Sequence, residues 1–223
     1  MKRHFLISAI LMSLMFVTSA FGQTSNPSGV KAVNIGLSVR WADRNVGADS
    51  PSDYGDYYAW GEVKTKTKHF SWETYKWFSL ATRLTKYNAE SEFGSVDNKT
   101  MLELEDDVAH VKLGGTWRMP TVGEVNELMA TKDNLSYKWE WTQISGHNGW
   151  QVTCLVNNQS IFLPAAGCYG VASLEDVGSL GIIWSSSLYA GYPCAWGMYY
   201  YSGNVFGYRV SRNLGASVRP VTD

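Results

Sequence analysis

From Trp139 onward, apolar and polar residues alternate in short runs separated by turn residues, a pattern that builds antiparallel sheet and cannot be wound into an amphipathic helix. Trp150, Val152, Cys154 and Val156 alternate with Gln151, Thr153 and Leu155, Asn157-Asn158 turns the chain, and residues 160–163 return. Pro164-Ala165-Ala166-Gly167 closes that hairpin. Further strands are predicted over 182–187, over 195–201 and 205–210 around a Ser202-Gly203-Asn204 turn, and over 217–221.

The N-terminal half is less regular. Val33, Ile35, Leu37, Val39 and Trp41 occupy alternate positions and predict a half-buried strand over 33–41. An aromatic strand follows through Tyr57, Tyr58 and Trp60. Residues 61–96 have no clean period and read as a long loop anchored by Trp72, Tyr75, Trp77 and Phe78. Met101, Leu104, Val108 and Val111 recur at helical spacing ahead of Gly114-Gly115, predicting a first helix. Its other face, Glu103, Asp106, Asp107 and His110, reads as a solvated surface in preference to calcium ligands, which would also need loop carbonyls. A second helix is marked by Thr121 and Glu124, a capping box ahead of Val125, Leu128 and Met129, and should end near Lys132. Helices early and strands late give an α+β expectation, two helices packed on antiparallel sheets with long loops.

The chain of 223 residues opens with Lys2-Arg3, an apolar stretch over 5–17 and Ala20-Phe21-Gly22, the layout of an export signal. The expected organisation is a signal peptide over 1–22, a flexible leader over 23–30 and one domain over 31–223. The product is then secreted or held at the cell surface, with the periplasm a further destination. A formal charge of −1, from 19 basic and 20 acidic residues, lacks the basic excess needed to displace counterions from nucleic acid. No later apolar run reaches the roughly 20 residues needed to span a bilayer. Cys154, Cys168 and Cys194 have no metal-ligand spacing, and small buried or half-buried side chains explain them better than a disulfide.

No nucleotide-cradling loop, hydrolase elbow or paired metal histidines appear, so neither catalysis, a cofactor nor a metal is expected. Instead, the 45 residues from Tyr169 to Asn213 hold 7 Tyr, 7 Gly, 7 Ser and 2 Trp against four charged side chains. That mixture suits a binding surface, because Tyr offers large contact area with few torsions to freeze. If Trp196, Met198 and Tyr200 face the core, Tyr199 and Tyr201 face outward, and Phe206 and Tyr208 join them across the Gly203 turn. Tyr189 and Tyr192 add to the end of the same sheet. These six are the candidate ligand-binding residues, for a protein or glycan partner.

Several blocks in order carry a resemblance: Leu37-Ser38-Val39-Arg40-Trp41, the run from Tyr54 to Glu62, Gly114-Gly115-Thr116-Trp117-Arg118-Met119-Pro120-Thr121, the run from Ile161 to Gly167, Trp184-Ser185-Ser186-Ser187 and Ser217-Val218-Arg219-Pro220-Val221. Together they resemble the Fibrobacter succinogenes major paralogous domain family of exported bacterial proteins over nearly the whole mature chain. The resemblance implies a C-type lectin-like fold, related in shape to formylglycine-generating enzymes and retroelement-diversified receptors. The lectin calcium triplets and the enzyme's C-terminal cysteine pair are missing here. A recognition module is therefore the leading expectation, ahead of a structural adhesin or surface-assembly subunit and of a degenerate enzyme of that fold.

Overall fold

The computed structural model describes residues 29–66 and 69–223, so the expected signal peptide and most of the expected leader lie outside the described residues. In chain order it forms β1 (Ala32–Val33), β2 (Arg40–Ala42), β3 (Phe78–Ser79), β4 (Arg83–Leu84), α1 (Val108–Leu113), α2 (Val122–Ala130), β5 (Tyr137–Ile144), β6 (His147–Cys154), β7 (Ser160–Pro164), β8 (Cys168–Tyr169), β9 (Leu174–Glu175), β10 (Leu180–Tyr189), β11 (Cys194–Tyr201), β12 (Asn204–Ser211) and β13 (Val221–Thr222). Short 3-10 turns fall between them. The strands pair antiparallel in five small sheets, β1-β2-β13, β3-β4, β5-β6-β7, β8-β9 and β10-β11-β12.

This architecture corrects the α+β, C-type lectin-like expectation. The described chain is mostly β, with two short α-helices and no helical layer. The first expected helix is the main reason. Met101, Leu104 and Val111 are exposed, whereas Asp106 and Asp107, assigned above to a solvated face, are buried. Asp107 is extended and caps α1, its Oδ1 accepting from the Ala109 and His110 amides (2.9 and 3.1 Å) while Oδ2 accepts from Met119 N–H (2.8 Å). The helix therefore starts at Val108, and the periodic residues before it belong to loop and a single 3-10 turn. Among the described residues no helix is long and apolar enough to cross a membrane.

The strand expected over 33–41 is likewise only partly formed. Ile35, Val39 and Trp41 are buried at alternate positions, yet bends separate β1 from β2, with Gly36 at a φ of 78°. Helix α2 matches its prediction. Thr121 Oγ1 accepts from Glu124 N–H and the Glu124 carboxylate from Thr121 N–H, and a 3-10 turn over Thr131–Asp133 follows the helix. Glu124 also receives both guanidinium arms of Arg118 (2.8 and 2.6 Å).

The β10-β11-β12 sheet lies between two apolar clusters. Ile182, Trp184, Ala195 and Val210 face the first, with Trp60 and Val108, and Ile183, Met198 and Tyr200 face the second, with Val125 and Leu128 of α2. Burial on both faces is why β10 reads as the continuous run Leu180-Gly181-Ile182-Ile183-Trp184. Two buried indoles fasten the Tyr58–Trp60 segment to it, Trp184 Nε1–H donating to Tyr58 O and Trp60 Nε1–H to Ser185 O, both at 2.8 Å. The residues around Ser217 pair along the outer side of β10, so β12 is left as the open edge. Of the loop anchors, Tyr75 is buried and Trp72, Trp77 and Phe78 pack half-buried around it. All three cysteines are free, Cys154 buried and the others half-buried.

Candidate ligand-binding surface

In the β11-β12 ladder Tyr199 stands opposite Phe206, Gly197 opposite Tyr208, and Tyr201 opposite Asn204 across the two-residue turn. The pleat puts all of these on one side of the sheet. That side is buried in the first cluster only at the Ala195 and Val210 pair. From the next pair outward it opens, with Tyr208 50% exposed on the edge strand opposite buried Gly197 and Tyr201 42% exposed at the turn. Tyr199 and Phe206 are half-buried between them. Four rings touch in a continuous group: Tyr199 to Phe206 at 5.3 Å between centroids, Tyr199 to Tyr208 at 6.0 Å, Phe206 to Tyr208 at 6.1 Å and Tyr201 to Phe206 at 6.4 Å. Edge-on and tilted contacts of this kind hold the rings in place, so little side-chain freedom is left to lose on binding. Partial burial, with Cys168 and Asp176 nearby, pushes the Tyr199 hydroxyl pKa upward and keeps it a neutral donor.

Tyr189 and Tyr192 do not join this group. Tyr189 pairs with Cys194 and lies on the other side of the sheet, where its ring meets Trp196 at 4.7 Å and Tyr192 at 5.9 Å. Arg209, cross-strand from Trp196, sits over the Tyr192 ring at 4.4 Å. The single surface expected from alternation is therefore two patches on opposite faces. Trp196, expected in the core, is half-buried because α2 covers this face only as far as Met198 and Gly207, where Met129 and Asn126 approach. Tyr200 and Met198 are buried as expected. Arg209 was absent from the sequence-based set, although its position opposite Trp196 in a hairpin was readable.

These assignments set the energetics. Tyr201→Ala and Tyr208→Ala should each change the unfolding free energy by under about 1 kcal/mol, and Trp196→Ala by under about 2 kcal/mol, whereas Tyr200→Ala should cost about 3–5 kcal/mol. Urea denaturation of the four variants checks the order. A Trp196 variant as damaged as the Tyr200 one would mean that its ring is core.

A cluster of acids also invites attention, since Glu103, Glu105 and Asp106 converge closely enough to hold a cation. Lysines already engage it. Asp106 accepts from Lys76 (2.9 Å), Lys86 (2.6 Å) and the Tyr87 hydroxyl (2.7 Å), and Glu103 pairs with Lys86 and Lys99. Lys86 and Lys99 hold the half-buried Glu103 down to about 2, and at Asp106 the burial that would raise the pKa is outweighed by its three donors, so it too is lowered. A carboxylate held low contributes stability above its unfolded pKa and loses it as pH falls through the folded value. Stability should therefore be full at pH 6 and decline below the unfolded values of 4.5 and 3.8. Asp106→Asn should flatten that acid limb in urea titrations at pH 6, 4 and 3; an unchanged slope would refute the assignment.

No protein-family model, curated protein or solved structure matches this chain, and the two aromatic patches stand on their own geometry.

Proposed function

We propose that this chain is an exported recognition module that binds a protein or glycan through Tyr199, Tyr201, Phe206 and Tyr208 without a metal. The observation that carries the reading is the contiguous ring group on the β11-β12 hairpin, with Tyr201 and Tyr208 open to solvent and costing little to expose. Exposed, pre-positioned tyrosines recognise protein surfaces through contact area and hydroxyl donors, and sugar rings by stacking. Tyr189 and Tyr192, beside Arg209, form an accessory patch on the opposite face. The resemblance to the Fibrobacter succinogenes major paralogous domain family supports an exported location.

The test is a screen of the immobilised protein on a glycan array and on a panel of purified bacterial and host surface proteins, with and without EDTA. Binding should survive chelation and should fall about 30-fold in Tyr201→Ala, the equivalent of about 2 kcal/mol. A ligand that tolerates the Tyr201→Ala/Tyr208→Ala double variant, or that requires a divalent cation, would overturn the proposal.

A further inference from the structure

An open apolar concavity lies on the face of the β3-β4 ladder, reaching Pro193 beside the accessory patch but none of Tyr199, Tyr201, Phe206 and Tyr208. It is about 300 Å³ and is lined by Trp72, Phe78, Leu84, Phe93 and Pro193, with Arg83 as its one charged wall residue. Leu84 is buried, and the other apolar residues are half-buried with faces left toward the opening. Trp72 and Phe78 pack at 5.5 Å with their planes tilted by 49°, which gives the concavity two differently angled aromatic walls. The β3-β4 ladder, in which Phe78 pairs with Leu84 and Ser79 with Arg83, sets both sides of the concavity.

Arg83 is placed with some care by the backbone. It has a φ of 58°, uncommon for a residue with a side chain, and its Nη1 donates to the Glu92 carbonyl at 2.8 Å. A neutral carbonyl takes one of five donors. Among the described residues no carboxylate lies within ion-pair distance of Arg83. Arg83 is exposed, so the fork stands at the solvent-facing rim of the apolar wall, where an incoming anion can reach it.

We propose that this concavity binds a small arylalkyl carboxylate, its ring between Trp72, Phe78 and Phe93 and its carboxylate on Arg83. The planar guanidinium matches a carboxylate with two parallel hydrogen bonds. The aromatic walls favour a flat ring, and the volume, at the bottom of the roughly 300–1,000 Å³ range of small-molecule sites, suits a ligand of one ring and a short tail. This site is independent of the ligand surface proposed above, and either can fail without the other.

Titration calorimetry with 4-phenylbutyrate and with its neutral analogue 4-phenylbutan-1-ol tests it on the whole chain. The acid should bind saturably and at least tenfold more tightly than the alcohol. Arg83→Asn, chosen because asparagine tolerates a positive φ, should erase that preference while leaving the alcohol's affinity within twofold. Phe93→Ala should weaken both ligands, and thermal melting of each variant separates lost binding from lost fold. No saturable binding of the acid, equal binding of acid and alcohol, or a preference that survives Arg83→Asn in a folded protein would each overturn the proposal. Binding of the acid displaced by excess chloride alone would also overturn it, since a nonspecific anion effect needs no aromatic pocket.

Discussion

Arg219→Ala is expected to lower the unfolding free energy by about 3–5 kcal/mol. The guanidinium is fully buried and joins three distant parts of the chain: Nε–H donates to Asn45 Oδ1 (2.8 Å), Nη1–H to Ala42 O (3.0 Å) and Nη2–H to Phe162 O (2.6 Å). Among the described residues no carboxylate is within ion-pair distance of it, Asp43 acting only from further off, and burial draws the pKa down to about 10, which still leaves the group charged at neutral pH. Alanine would strand three buried acceptors at once, and each unsatisfied one costs on the order of 1–3 kcal/mol before relaxation. Arg219→Lys should recover only part of the loss, because one ammonium cannot reproduce the fork. Urea denaturation decides it: a loss under about 1 kcal/mol would mean that water or rearranged backbone replaces these bonds. Such a phenotype is one of folding and not of recognition.

Gly181→Ala should be comparably damaging, at about 3 kcal/mol or more. Gly181 pairs with Tyr200 across the β10-β11 ladder, and the tyrosine ring lies over it. A Cβ at position 181 would sit 2.1 Å from Tyr200 Cζ and 2.4 Å from its hydroxyl oxygen. The ring has nowhere to go. It is fully buried, and its hydroxyl donates to Pro164 O at 2.8 Å, tying the central sheet to β7. Thermal unfolding of Gly181→Ala alongside Tyr200→Phe separates the two contributions. Loss of the hydroxyl alone should cost about 1 kcal/mol, and a Gly181→Ala variant no worse than that would show that the ring can swing aside.

The hairpins were legible because their causes are local. The turn at Asn157-Asn158, the return through β7 and the β11-β12 pairing follow from alternation and turn residues a few positions apart, as the Thr121–Glu124 cap follows from spacing. The first helix was misread because Met101, Leu104, Val108 and Val111 satisfy a helical period that the backbone does not follow. Asp107 ends the loop and starts the helix by binding three amides, one of them from Met119, twelve residues on. The fold class went with it, since a six-residue helix and a nine-residue helix cannot supply a layer.

The aromatic surface shows where the division lies. Which residues of β11 and β12 share a side was determined by sequence alone, because the pleat alternates side chains whatever surrounds it, and Tyr199, Tyr201, Phe206 and Tyr208 do stand together. Which end of each side is covered was decided by tertiary structure. The first cluster caps one face at Ala195 and Val210, α2 caps the other at Met198 and Gly207, and the two covers are offset along the strands. Tyr201 and Tyr208 therefore emerge on one face and Trp196, Tyr189 and Tyr192 on the other, because burial is set by segments that arrive from far along the chain, and no local period encodes their position.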